Sequence, residues 1–158
     1  MIAVRSAPAA LDELWSYVGR AYYNYKLLLE RTLRDRGLEG TVRPGMGHIL
    51  FTLFEGDGCI LRDIAEKTRL SFPTITVVLQ RMKAAGLVEM KRDPDDGRAV
   101  RVRLTPLGRS IEPRCWQVVK HLKEVLERGL SRREVTLAKR ALARMVENMR
   151  EDEEQSGG

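Results

Sequence analysis

The sequence predicts a mainly helical fold with one small β-hairpin, which places it in the α+β class. Apolar residues recur at spacings of three and four along most of the chain, as they do on one face of a helix. Residues 98–104 instead alternate apolar and basic side chains, as a strand with one buried face does. The length of 158 residues suits a single domain of ordinary size.

The charge balance is basic, since 28 lysines and arginines stand against 22 aspartates and glutamates. The resulting net charge of +6 favours an anionic partner such as nucleic acid or a membrane surface. The longest mostly apolar run, residues 49–54, is far below the about 18 residues that cross a bilayer, so we expect no membrane span. Two cysteines exclude a disulfide framework and suit a reducing compartment, which predicts a cytoplasmic protein.

The first predicted helix spans residues 11–36. Its apolar stripe is longer than one small domain needs, which indicates a further apolar surface for it to contact. Gly37 and Gly40 end the helix. We expect Pro44 to open a second helix of about a dozen residues, because proline is tolerated in a first turn. The glycine-rich stretch 56–58 closes that helix.

A short helix, a turn and another helix follow from Leu61 onward. Ser71 has the character of an N-cap, Pro73 stands in the first turn, and Gly86 ends the second of these helices. Its predicted buried stripe consists of Ile75, Val78, Leu79 and Met82.

A β-hairpin comes next, formed by residues 87–92 and 98–104. The segment between them is rich in Asp, Pro and Gly, which is turn composition. Thr105 and Pro106 then cap and begin a helix whose apolar spacing continues to about residue 126. Gly129 interrupts this pattern, and Ser131 with Glu134 restarts it as a capping box.

A helix–turn–helix followed directly by a charged hairpin is a winged helix–turn–helix. Its second helix has the width to enter a DNA major groove, and the hairpin loop reaches the adjacent minor groove. The sequence therefore predicts contact with double-stranded DNA.

Residues 61–108 resemble the MarR-type (multiple antibiotic resistance regulator) transcription factors. Besides the helix–turn–helix core at 61–88, the chain has the family's Asp-x-Arg wing and its Leu-Thr-x-x-Gly helix start. These motifs read Asp93-Pro94-Asp95-Asp96-Gly97-Arg98 and Leu104-Thr105-Pro106-Leu107-Gly108. Arg69 and Arg62 depart from the pattern, which commonly has glycine and a small capping residue there.

The resemblance implies a single domain over residues 1–158. Within it, 44–104 form the DNA-binding lobe, and 11–36 and 106–150 form N- and C-terminal dimerisation helices. The implied protein is a homodimeric repressor of transcription that binds a pseudo-palindromic operator and is relieved by a small aromatic ligand. The implied ligand walls are Trp15, Tyr22, His48 and Phe51.

The outer face of the recognition helix and the wing supply the candidate DNA contacts. Hydroxyl, amide and guanidinium groups there suit base edges and phosphates, and methyl groups suit thymine. In the wing, we expect the Asp96 carboxylate to hold the Arg98 guanidinium extended toward a narrow minor groove. We interpret Lys91, Arg92, Arg101 and Arg103 as phosphate contacts or a solvated basic strand. The candidate helix residues are Ser71, Phe72, Pro73, Thr74, Thr76, Val77, Gln80 and Arg81.

Arrangements of residues typical of enzymes are weak in the sequence. His48 and His121 fit no metal-ligand spacing, and no phosphate-binding glycine loop occurs. We therefore predict no catalytic residue, no metal and no cofactor. Cys59 and Cys115 are interpreted as buried inert thiols or, alternatively, as redox sensors. The alternative function is a winged-helix module that binds protein without reading DNA.

Overall fold

The computed structural model describes residues 9–94 and 96–156. The chain divides into two compact units, Met1–Lys120 and His121–Gly158. Asp95 of the predicted wing lies outside the described residues. A short 3-10 helix, Ala9–Asp12, precedes ten elements in the described part of the chain. These are α1 (Leu14–Asp35), α2 (Gly47–Glu55), β1 (Cys59–Ile60), α3 (Leu61–Thr68), α4 (Phe72–Ala84), β2 (Val88–Arg92), β3 (Val100–Leu104), α5 (Pro106–Ser110), α6 (Glu112–Leu126) and α7 (Arg132–Ser156).

The first two helices differ in how well the sequence predicts them. Helix α1 is confirmed within a few residues at its start, and it ends before Gly37, whose φ of +63° few other residues adopt. Helix α2 has nine residues and begins at Gly47, so the predicted start at Pro44 is wrong. Gly45 has a φ of +93°, which breaks the helical path between the proline and the helix.

The helix–turn–helix is formed by α3 and α4. Ser71 caps α4 as predicted, since its Oγ accepts the backbone N–H of Thr74 at 3.4 Å. All four residues of the predicted stripe are buried. The turn places Arg69 at a φ of +55°, the left-handed conformation for which glycine is the usual residue.

The wing belongs to a three-stranded antiparallel sheet of order β1-β3-β2. The β2–β3 hairpin is confirmed, with Met90 opposite Val102. Strand β1 was not predicted, and it pairs Cys59 with the same Val102. Because Val102 is fully buried, the sheet is attached to the core at the centre of its middle strand.

The predicted single helix from residue 106 is two helices, α5 and α6, with a break at Ile111. Pro113 has no N–H to donate to the carbonyl of Arg109, so the helical hydrogen-bond series is interrupted there. Thr105 caps α5 as predicted, accepting the N–H of Gly108 at 3.0 Å.

The core of the first unit is formed by apolar side chains from its helices, its strands and the segments between them. Its fully buried members include Leu38, Ile49, Leu53, Ile64, Ile75, Leu79, Met82, Leu87, Val102 and Ile111.

The second unit contains the end of α6 and all of α7. The predicted capping box is confirmed, because Ser131 N–H donates to Glu134 Oε2 at 2.7 Å and Glu134 N–H donates to Ser131 Oγ at 3.3 Å. Gly129 takes a φ of +78° at the end of the preceding helix. No helix within residues 9–94 and 96–156 has the length and apolar character needed to cross a membrane.

Candidate nucleic-acid interface

Helix α4 presents one polar face away from the core. The buried stripe occupies the opposite side of the helix, so the remaining positions point to solvent. Phe72 and Val77, about half exposed, add apolar surface to this face. All eight candidate helix residues are exposed: Ser71, Phe72, Pro73, Thr74, Thr76, Val77, Gln80 and Arg81.

The hydrogen bonds along this face determine which groups are available to a ligand. Thr74 and Ser71 share a hydrogen bond between their hydroxyl oxygens at 2.8 Å. Thr76 donates its hydroxyl proton to the carbonyl of Phe72 at 2.9 Å, so its methyl group and oxygen lone pair remain for an external contact. Within the described part of the chain, Gln80 and Arg81 make no side-chain hydrogen bond.

The contact between Asp96 and Arg98 differs from the predicted one. Asp96 Oδ1 accepts the backbone N–H of Arg98 at 3.0 Å, and the described residues contain no ion pair between the carboxylate and the guanidinium. An aspartate two residues before an N–H closes a local Asx turn, which satisfies the carboxylate oxygen with backbone. Asp96 therefore fixes the backbone beneath Arg98 and leaves the exposed guanidinium unpaired among the described residues.

Arg101 is engaged by protein groups, so its interpretation as a phosphate contact or solvated residue is wrong. Its Nε donates to Asp93 Oδ2 at 2.5 Å, and its Nη2 forms an ion pair with the same oxygen. Its Nη1 donates to the carbonyl of Gly58. Asp93 is nearly buried, with a residue exposure of 5%. The alternating pattern of β3 predicts that Arg101 faces solvent. It does not show that the carbonyl of Gly58 lies within hydrogen-bonding distance of Arg101.

A second acidic residue ties the sheet to α5. Asp57 Oδ1 accepts the backbone N–H of Leu104 at 2.9 Å, and Oδ2 pairs with Nη2 of Arg109 at 2.5 Å. The loop that follows α2 thus carries two attachments, one to β3 and one to α5.

Basic residues of the two hairpin strands line a cavity of about 210 Å³. Lys91 forms an ion pair with Glu89 at 2.9 Å, while Arg92 and Arg103 are exposed. The cavity gives the hairpin a positive surface next to the wing. Its lining residues are Glu89, Lys91, Arg92, Pro94, Arg101 and Arg103.

The candidate ligand residues fall into two groups. His48 and Phe51 lie on α2, and the Phe51 ring packs against Trp116 at a centroid distance of 4.7 Å. Trp15 and Tyr22 lie on α1 with 66% and 70% of their surfaces exposed, and neither makes a ring contact with any described residue. Among the described residues, no ring contact joins the two groups within the protomer. Sequence reasoning missed Trp116, because only tertiary packing shows that it adjoins α2.

Both cysteines are free thiols and both are buried. Burial raises the pKa of the Cys59 thiol, whose Sγ donates to the carbonyl of Gly56 at 2.8 Å. Burial raises the pKa of Cys115 to about 11. A thiol is less nucleophilic than a thiolate. The raised pKa values therefore favour the interpretation of both cysteines as inert residues over that of redox sensors. No cluster of residues suited to bind a metal occurs in the described part of the chain.

Comparisons with known proteins agree on one family. A profile described as MarR family matches residues 44–100. The chain is 27% identical over 133 residues to the HTH-type transcriptional repressor IacR of Pseudomonas putida, covering 84% of this chain and 77% of that protein.

Solved structures have the same fold. The PcaV regulator of Streptomyces coelicolor, in complex with its natural ligand, matches with a TM-score of 0.75 and 22% identity, over 90% of this chain and 97% of that one. A mutant of MarR from E. coli, complexed with operator DNA, matches with a TM-score of 0.70 and 21% identity, over 86% of this chain and 95% of that one.

Proposed function

Because the chain belongs to the MarR family of DNA-binding winged helix–turn–helix transcription regulators, we propose that it is a homodimeric repressor of a pseudo-palindromic operator. A regulator of this family is not an enzyme. The proposed repressor works in the cytoplasm, on double-stranded DNA, and a small aromatic ligand releases it. Residues 1–158 act in this proposal as a single functional domain.

The observation that carries the proposal is the outer face of α4 beside the wing. In our proposal α4 lies in a major groove, where Gln80 pairs with adenine and Thr76 contacts a thymine methyl. Arg98 enters the adjacent minor groove, and Arg81 binds a phosphate or a guanine. The unpaired side chains of Gln80, Arg81 and Arg98 support these roles, since forming the contacts breaks no hydrogen bond described within the chain.

The apolar surface of α1 supports the homodimer. Only Ser16, Thr32 and Leu33 of its 22 residues are buried, whereas the aromatic residues in its first three turns are exposed. Exposed apolar surface of this extent marks an interaction site. A two-fold dimer then presents two copies of α4 to half-sites about one helical turn apart.

The second unit supports the same assignment independently, since α7 also exposes apolar side chains. The proposed dimerisation helices are residues 11–36, which include α1, and residues 106–150, which include α5, α6 and most of α7. The exposed apolar residues of α7 are Leu137, Leu142, Val146 and Met149.

Aromatic side chains on α1, α2 and α6 support an aromatic ligand. Phe51 and Trp116 offer stacking surfaces, His48 offers a hydrogen-bonding nitrogen, and in the proposed dimer Trp15 and Tyr22 complete the walls. Among the relatives, IacR is named a repressor and PcaV was solved with its natural ligand. These names support ligand-relieved repression in this chain.

A gel-shift experiment tests the proposal. The probe is the DNA upstream of the protein's own gene, with a scrambled duplex of equal composition as competitor. We expect a shift that survives the competitor and is reversed by a member of a panel of small aromatic carboxylates and phenols. Failure to bind any duplex specifically supports the alternative protein-interaction module. Specific binding that no aromatic compound reverses contradicts only the ligand.

A further inference from the structure

A continuous series of hydrogen bonds connects the core of the first unit to the wing. It begins at the carbonyl of Gly58, which accepts Nη1 of Arg101. Arg101 donates to Asp93, with 2.5 Å between Nε and Oδ2. Asp93 Oδ1 accepts the backbone N–H of Asp96 at 2.9 Å, and Asp96 Oδ1 accepts that of Arg98 at 3.0 Å. The series ends at the residue proposed to enter the minor groove.

We propose that Arg101 is a positioning residue for DNA recognition. Held between Gly58 and Asp93, it fixes the wing in the orientation from which Arg98 enters the minor groove. Arg101 contacts no DNA in this role and acts through Arg98. The inference rests on the proposed function, because it requires a wing that contacts DNA.

The environment of Arg101 favours this role over a phosphate contact. All three of its guanidinium nitrogens donate within the protein, and its side chain is 31% exposed while that of Asp93 is 4% exposed. Moving Arg101 to a phosphate breaks its ion pair with the buried Asp93 carboxylate, which is strongly unfavourable. The planar fork of the guanidinium bridges Asp93 and Gly58, and a lysine cannot reproduce that fork.

Arg103 provides the matched comparison. It lies two residues further along β3 on the same face, opposite Glu89 on β2. It is exposed and makes no hydrogen bond or ion pair with any described residue. Loss of Arg103 therefore removes a charge of equal size from the same strand but leaves the connection to the wing intact.

The test compares two operator duplexes that differ only in the flanking steps at which the wing docks, A·T in one and G·C in the other. Affinities are measured by fluorescence anisotropy for wild type, Arg98→Ala, Arg101→Lys, Arg103→Met and the Arg98→Ala/Arg101→Lys double variant. Arg101→Lys keeps the positive charge, so a contact between this residue and a phosphate would survive the substitution. The bridge between Asp93 and Gly58 would not survive, because it requires the planar guanidinium.

We expect wild type and Arg103→Met to prefer A·T flanks by roughly tenfold, because the narrow groove attracts arginine. Arg101→Lys and Arg98→Ala reduce this preference to about twofold or less, and the double variant equals Arg98→Ala alone. The preference for the operator centre, read by α4, remains in every variant. Amide hydrogen exchange of Arg98 in the free protein becomes faster in Arg101→Lys, a readout that does not involve DNA.

Two results contradict the role of Arg101 without contradicting the proposed function. In the first, Arg101→Lys keeps the wild-type flank preference. In the second, adding Arg101→Lys to the Arg98→Ala variant weakens its DNA binding further. If Arg98→Ala keeps the flank preference, or wild type binds operator no better than scrambled DNA, the proposed function fails and the inference fails with it. Circular dichroism and thermal unfolding establish that each variant is folded. If Arg101→Lys is unfolded, Asp93→Asn/Arg101→Met replaces it, since that pair removes both charges together.

Discussion

Gly108 lies directly against the backbone carbonyl of Leu87: a Cβ on Gly108 would be 2.1 Å from the carbonyl oxygen. The same oxygen accepts the backbone N–H of Thr105 at 3.0 Å. Leu87 follows the end of α4, and Gly108 is the third residue of α5. The base of the hairpin is therefore closed by two contacts on one carbonyl group, and the second contact requires glycine.

Gly108→Ala is expected to destabilise the protein by at least about 2 kcal/mol, because the added methyl group forces α5 away from Leu87. The measurement is urea unfolding followed by circular dichroism. Gly47→Ala is the control, since a Cβ there meets nothing within 4 Å, and it changes stability by less than about 1 kcal/mol. Equal stability of Gly108→Ala and wild type contradicts the steric account.

Tyr22→Glu is expected to shift the protein from dimer to monomer at micromolar concentration. Tyr22 is 70% exposed in the protomer, and a carboxylate buried against a partner's apolar helix is costly. Analytical ultracentrifugation measures the change. Asn24→Glu, a polar position on the same helix, introduces the same charge and leaves the dimer intact. A wild-type protein that sediments as a monomer rules out the dimer.

Cys115 is expected to make stability depend on pH above the ordinary thiol range. Its pKa is raised by burial from 9.0 to about 11, so the folded state favours the protonated thiol. This contribution is fully present below about pH 9 and is lost as the pH rises toward 11, by up to about 2–3 kcal/mol. Urea unfolding at several pH values shows the loss, which Cys115→Ala removes. If the stability of Cys115→Ala falls with pH as much as that of wild type, groups other than Cys115 cause the loss.

Affinity for the operator is expected to fall steeply with salt. Each phosphate contact releases counterions and contributes about −0.9 to the slope of log affinity against log salt. If Arg81 contacts a phosphate, Arg81→Gln reduces the magnitude of this slope by about one. Lys139→Gln, which removes one charge from α7, serves as the control. A slope near zero for wild type contradicts the electrostatic part of the proposal.

The elements that the sequence predicted carry their signals locally. Ser71 and Pro73 identify the start of α4, and the basic alternation before Thr105 identifies β3, because caps and alternation depend on neighbouring residues. The exposed candidates on α4 follow from the same periodicity. Helix periodicity also explains one error, since the apolar spacing continues through Ile111 and conceals the break that Pro113 causes.

The features that the sequence did not predict depend on distant contacts. Strand β1 has two residues, too few for alternation, and it exists through its pairing with Val102. The partners of Arg101 are Gly58, which lies 43 positions earlier, and Asp93, across the wing. Trp116 joins Phe51 only when α6 packs on α2. No local pattern records any of these three relationships.

The affinities of wild type, Gln80→Ala and Arg98→Ala for the operator and for a scrambled duplex test the central claim most directly. If α4 reads bases and the wing holds the minor groove, Gln80→Ala loses roughly 1–3 kcal/mol on the operator and little on the scrambled duplex. Arg98→Ala weakens binding alike to related sites that share the same flanking steps, and most where those steps are A·T, and Asp96→Ala does so more mildly. Unchanged affinities of both Gln80→Ala and Arg98→Ala for both duplexes contradict the account.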